Sequence, residues 1–111
     1  MKVFVQGLWH CGCVVSACLA SLKHNVIAYD ENKKIVNKLK KNITPIFEPK
    51  LKDLIKTSTE DRKLSFVNNL KNLNTASIIW FTYDTPVNEY DQADTKYVLD
   101  RIKNTLKKLN S

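Results

Sequence analysis

The sequence predicts an α/β fold built on a parallel sheet, and three observations carry that expectation. Short β-branched or aromatic runs recur at Val3-Phe4-Val5, Val26-Ile27-Ala28-Tyr29, Leu64-Ser65-Phe66-Val67 and Ile78-Ile79-Trp80-Phe81. Stretches with helical apolar spacing lie between them. The connections are too long for hairpins but suit the right-handed crossovers that join parallel strands. At 111 residues the chain fits one domain, 1–111, around one core, and leaves no room for a second compact unit.

The first strand ends at Gly7, and Cys11 to Leu22 is apolar nearly all round, as a helix buried against a sheet would be. The second strand ends at Asp30. Ile35, Val36 and Leu39 then make a narrow apolar stripe on a Lys-rich helix. Pro45 and Pro49 bracket an extended loop, and Pro49 is placed to begin a helix that carries Leu51, Leu54 and Ile55 inward. After the third strand, a polar turn around Leu70 and Leu73 leads to the fourth and most hydrophobic strand. Asp94 is expected to cap a last helix facing Val98, Ile102, Leu106 and Leu109 to one side. The strand order this implies is 3-2-1-4, with helices on both faces.

Composition excludes several classes of function. With 43% hydrophobic and 26% charged residues, the chain reads as an ordinary globular protein and not as a disordered one. Its net charge of +7 and pI near 9.4 come mainly from lysines on the polar sides of two helices. No aromatic platform is interleaved with them, so a solvated surface is expected instead of a nucleic-acid site. Three cysteines crowded at Cys11, Cys13 and Cys18 do not make a disulfide framework and point to a reducing compartment. Met1-Lys2 runs straight into the first strand without a signal peptide, and no apolar run is long enough to span a bilayer. A cytoplasmic protein that binds no membrane and no nucleic acid is expected. His10 and the cysteines do not close a tetrahedral set, so no metal is expected.

In a sheet of order 3-2-1-4 the chain leaves strand one to one side and strand four to the other, opening a crevice at their carboxyl ends where ligands bind. Gly7-Leu8-Trp9-His10-Cys11-Gly12 follows strand one with the spacing of the G-x-G-x-x-G fingerprint, Trp9 standing at the middle glycine. Gly7 permits the tight turn and Gly12 lets the helix pack on the strand. The N–H groups at the helix start would face a pyrophosphate. Asp30, at the end of strand two, is placed to accept hydrogen bonds from ribose hydroxyls, which favours NAD over NADP; a helix N-cap is a compatible second role. Trp9 either stacks on the cofactor or packs over the loop, and His10 either meets a phosphate or stays a solvated loop residue. Lys34 and Tyr83 complete the candidate cofactor-binding set with Thr85, which Pro86 biases to an extended backbone at the crevice rim. The expected fold is therefore Rossmann-like.

Three stretches resemble the UDP-glucose/GDP-mannose dehydrogenase family in order and spacing. They are Gly7 to Asp30, Thr44-Pro45-Ile46-Phe47-Glu48-Pro49, and Thr85-Pro86-Val87 followed by Ala93-Asp94 and Tyr97-Val98. The similarity covers essentially the whole chain. It implies an enzyme that oxidises the C6 alcohol of a nucleotide sugar to the acid in two NAD-dependent hydride transfers, through a thiohemiacetal or thioester on a cysteine. That cysteine belongs to a later domain and matches none of Cys11, Cys13 or Cys18, so no catalytic residue is assigned here and the chain alone should be inactive. Thr85 resembles the threonine of the family's G-T-P motif, beside the nicotinamide ribose. The isolated domain is expected to be monomeric and the full enzyme a homodimer. Trp9, Lys23, Asn42, Lys50 and Asp84 stand where the family often has glycine.

Two other functions fit parts of the sequence. A divergent binding or interaction module would keep the fold and lose dinucleotide affinity through Trp9 and Asp84. A basic nucleic-acid-binding domain would use the positive charge alone.

Overall fold

The computed structural model describes residues 1–45, 48, 50–83 and 95–109. Among them, β1 (Lys2–Gln6), β2 (Asn25–Tyr29), β3 (Leu64–Val67) and β4 (Ile78–Phe81) form one sheet. Its order is β3-β2-β1-β4 and every pairing is parallel, with Val3 opposite Val26 and Ile78, and Val26 opposite Leu64. The helices are α1 (His10–Ser21), α2 (Lys33–Lys40), α3 (Leu51–Glu60) and α4 (Thr95–Leu109), with a 3-10 turn at Leu73–Thr75.

Alternation along the strands divides the core in two. Val3, Val5, Val26, Ala28, Leu64 and Phe66 face α1, α2 and α3, where they meet Ala17, Val36 and Ile55. Phe4, Ile27 and Tyr29 face the other way onto Leu73, with Ile79 and Leu109 packed alongside. The rings of Phe4 and Tyr29 stack with centroids 5.8 Å apart. Helices thus cover both faces, and the carboxyl ends of β1, β2 and β4 lie side by side.

One detail follows from the expected strand order and two depart from the sequence reading. The fourth strand is the richest in apolar residues but lies at the sheet edge, so Ile78 and Trp80 are 44% and 46% exposed. In α4 the inward line holds Thr105, fully buried, while Leu106 points outward. The Thr105 hydroxyl is admitted to the interior because it donates to Gln6 Oε1 at 2.8 Å, which satisfies a polar group that would otherwise be costly to bury. The third helix begins at Leu51 after a left-handed Lys50 at φ 69°, two residues later than a helix opened by Pro49. Pro49 itself and the expected cap Asp94 lie outside the described residues.

Lys23 at φ 72° and Asn42 at φ 61° follow the ends of α1 and α2 in the left-handed region, as their glycine-like positions imply, and Arg62 at φ 60° follows α3 in the same way. Each lets a backbone N–H turn back onto the last helical carbonyls, as Lys23 N does on Ala20 O at 3.0 Å.

Candidate functional site

The turn between β1 and α1 is held by two glycines with different tasks. Gly7 has φ 104° and its N–H donates to Tyr29 O at 2.9 Å. A Cβ there would lie 2.8 Å from the Tyr83 backbone nitrogen. At Gly12 a Cβ would fall on the Gly7 carbonyl oxygen and stand 2.8 Å from Thr82 Oγ1. Thr82, just past β4, donates its hydroxyl to Gly7 O at 2.6 Å and its N–H to Gln6 O at 2.8 Å. These bonds bring the first loop and the tip of β4 together as the two rims of one crevice.

Asp30 joins the third side. Its Oδ2 accepts the Leu8 N–H and its Oδ1 the Asn32 N–H, each at 2.8 Å. The residue is only 7% exposed, and burial raises its pKa by more than these two N–H bonds lower it. Each oxygen keeps lone-pair capacity for a further donor. The N-cap of α2 is Asn32, which accepts from Lys34 N and Ile35 N. Asp30 is thereby left to the loop and the crevice.

Trp9 caps α1 through its backbone at φ −91°, ψ −153°, an extended conformation open to any residue. No positive φ is needed where the fingerprint has its middle glycine, so the indole is accommodated without strain and lines the crevice at 45% exposure. α1 has no side-chain cap bond and no acidic residue in its first turn; its ladder begins with Cys13 N on Trp9 O at 3.0 Å. A helix start in this state offers N–H groups and the positive end of its dipole to an anion. His10 opens the helix, and its Nε2 meets Glu48 Oε1 at 3.0 Å, which ties the β1–α1 loop to Glu48. Cys11 is exposed. Cys13 lies beneath, its Sγ 3.8 Å from Leu8 O, and burial, with the Asp30 charge, pushes its thiol up to about 12.

The crevice measures about 530 Å³, an ordinary volume for a ligand cleft. Of the candidate residues it is lined by Gly7, Leu8, Trp9, Asp30 and Tyr83. His10, Cys11 and Gly12 are not among its lining residues. Lys34 is exposed on the first turn of α2, and it is Ile35 that faces the cleft. Thr85, with Asp84, Pro86 and Val87, lies outside the described residues.

Sequence reading missed the polar wall opposite the loop, formed by Glu31, Tyr97 and Arg101. Glu31 accepts the Tyr83 hydroxyl at 2.8 Å and Arg101 Nε at 3.0 Å. The Arg101 guanidinium lies 4.1 Å above the Tyr97 ring. Behind them the buried Gln6 donates to Tyr83 Oη at 2.9 Å and accepts from Thr105. The visible signal was the i, i+4, i+8 row Tyr97, Arg101, Thr105, a polar stripe along a helix otherwise read for its apolar face.

Among the described residues no group of His, Cys, Asp and Glu is arranged to hold a metal ion, and no helix is long and apolar enough to cross a membrane.

Comparison with known proteins gives a consistent answer. The model of the UDP-glucose/GDP-mannose dehydrogenase family, NAD binding domain, matches residues 1–111. The chain is 35% identical over 111 residues to a UDP-glucose 6-dehydrogenase of Rickettsia felis, covering 99% of this chain and 25% of that protein. It is 32% identical over 110 residues to the UDP-glucose 6-dehydrogenase TuaD of Bacillus subtilis, covering 98% and 24%. A UDP-glucose dehydrogenase structure from Pyrobaculum islandicum superposes with TM-score 0.78 at 28% identity, over 87% of this chain and 23% of that one. The fold is shared with a UDP-D-ManNAc dehydrogenase of Pyrococcus horikoshii at TM-score 0.87 and 24% identity, over 98% and 26%. The chain spans about a quarter of the length of these relatives.

Proposed function

Because the chain belongs to the UDP-glucose/GDP-mannose dehydrogenase family, as its NAD binding domain, we propose that the crevice between the β1–α1 loop and the tip of β4 binds the ADP half of NAD. In this reading the pyrophosphate rests on the first-turn N–H groups of His10, Cys11 and Gly12, and Asp30 accepts from the adenosine ribose. Gly7, Leu8, Trp9 and Tyr83 wall the site, with Lys34 and Thr85 at its margins. The observation that carries the reading is the buried Asp30 carboxylate bonded to Leu8 N beside a helix start with no side-chain cap.

When bound, NAD supplies a hydride acceptor, and this chain's own part is to position it. The enzyme to which the domain belongs oxidises, in this proposal, the C6 alcohol of a nucleotide sugar such as UDP-glucose to the uronic acid. Its catalytic cysteine and sugar-binding groups lie in another segment, so residues 1–111 alone are inactive. The enzyme is a cytoplasmic homodimer in the same proposal, and the isolated domain a monomer.

The test is a titration with NAD followed by the emission of Trp9, with Trp80→Phe removing the other indole. A saturable change is expected. No change and no heat up to millimolar NAD would instead favour a module that kept the fold without the affinity.

A further inference from the structure

The wall opposite the loop carries a specificity device that the fingerprint does not describe. Two consecutive carboxylates, Asp30 and Glu31, end β2 at the crevice. That of Asp30 is held by backbone N–H groups. That of Glu31 is held by side chains reached from elsewhere in the chain, Tyr83 after β4 and Arg101 on α4. Glu31 and Arg101 are both about one-third exposed at the rim, and both line the same cleft as Asp30.

We propose that Glu31 is a coenzyme-specificity residue that engages Arg101 and thereby denies its guanidinium to the 2′-phosphate of NADP. The proposal rests on the assignment of the crevice to NAD.

A dinucleotide fold accepts a 2′-phosphate when an arginine stands near the ribose and rejects it when only carboxylates do. Here both are present at that rim, and the arginine's charge is directed at a carboxylate 3.0 Å away. Glu31 thus works twice. Its own charge repels a phosphate, and its bond to Nε fixes the guanidinium that lines the cleft. The guanidinium is also stacked on Tyr97, so it stays at the rim when Glu31 is removed. Guanidinium is the group best matched to a phosphate, through paired, charge-assisted bonds. Tyr83, relieved of Glu31, retains its bond from Gln6.

The experiment measures affinity for NAD and for NADP in the 111-residue chain, for wild type, Glu31→Ala and the double variant Glu31→Ala/Arg101→Leu. Circular dichroism checks that each is folded, and Glu31→Ser stands in should the alanine chain melt early. The ratio of NADP to NAD affinity should rise by about tenfold or more in Glu31→Ala, as one charge-assisted phosphate contact implies. The double variant should lose most of that gain. An unmoved ratio in Glu31→Ala or Glu31→Ser, or a gain that survives loss of Arg101, overturns the proposal while NAD binding by the wild type leaves the crevice assignment standing. A wild-type chain that binds neither dinucleotide overturns both.

Discussion

The Asp30 carboxylate accepts the backbone N–H of Leu8 across 22 residues of chain, at 2.8 Å. That bond fixes the loop after β1 to the end of β2, and Thr82 fixes the same loop to β4 through the Gly7 carbonyl. The crevice is therefore shaped by the resting fold before any ligand arrives.

Replacing Asp30 by Asn should damage both loop and binding. An amide has one oxygen and one NH₂, so it must set a donor against either Leu8 N–H or Asn32 N–H. A loss of about 1–3 kcal/mol in urea unfolding is expected for one such unsatisfied pair. NAD affinity should drop with it, and a variant of wild-type stability and affinity would contradict the role given to this carboxylate.

The same residue sets a pH dependence. Burial raises the Asp30 pKa in the fold, against the opposing Leu8 and Asn32 N–H bonds, so the folded chain keeps this proton to higher pH than the unfolded chain. The linked stability is full below the unfolded value and is lost as pH rises through the folded value. Wild-type stability should thus decline relative to Asp30→Asn as pH climbs from below the usual aspartate range to just above it. Ribose hydroxyls favour the ionised form, so NAD affinity should fall as pH drops through that window. Parallel stability curves across it would show that Asp30 titrates alike in both states.

Gly12→Ala places a methyl on the Gly7 carbonyl oxygen, in contact with Thr82 Oγ1. Neither neighbour is the free end of a flexible chain, so α1 must shift. A destabilisation of about 2–4 kcal/mol is expected, at the upper range for overpacking a tight site. Thermal melts of the variant check this, and a change in melting temperature within experimental scatter would mean that the helix–loop contact is loose.

The three thiols should separate cleanly in a reaction with a disulfide reagent near neutral pH. Cys11 and Cys18 are exposed and Cys13 is buried, with its thiol pushed up to about 12. Two thiols should react in the native chain and the third only on unfolding. Rapid reaction of all three without denaturant would show that α1 lifts from the sheet.

The strand pattern was plain in the sequence because buried parallel strands are short, apolar and β-branched. The third and fourth strands begin and end at the expected residues, Leu64–Val67 and Ile78–Phe81. Loop glycines and Asp30 were legible for a similar reason, since backbone geometry and carboxylate chemistry leave few substitutes. Glu31, Tyr97 and Arg101 were not, because their meeting depends on how α4 lies against β2, and residues 31 and 101 are remote in sequence. Lys34 and Ile35 show the limit of spacing arguments on a helix: one residue of offset turns a side chain by about 100°, from the cleft to solvent. Leu106 and Thr105 exchanged places for the same reason, with the Gln6 bond making the polar residue the better one to bury.

The central claim is that the β1–α1 loop and the β4 tip cradle a dinucleotide, and amide NMR shifts recorded during an NAD titration test it most directly. The predicted result is saturable movement concentrated at Leu8, His10, Cys11, Gly12 and Tyr83, with β3 residues such as Ser65 unmoved. Shifts that fail to saturate, or that gather on the lysine-rich outer face of α2, would contradict it.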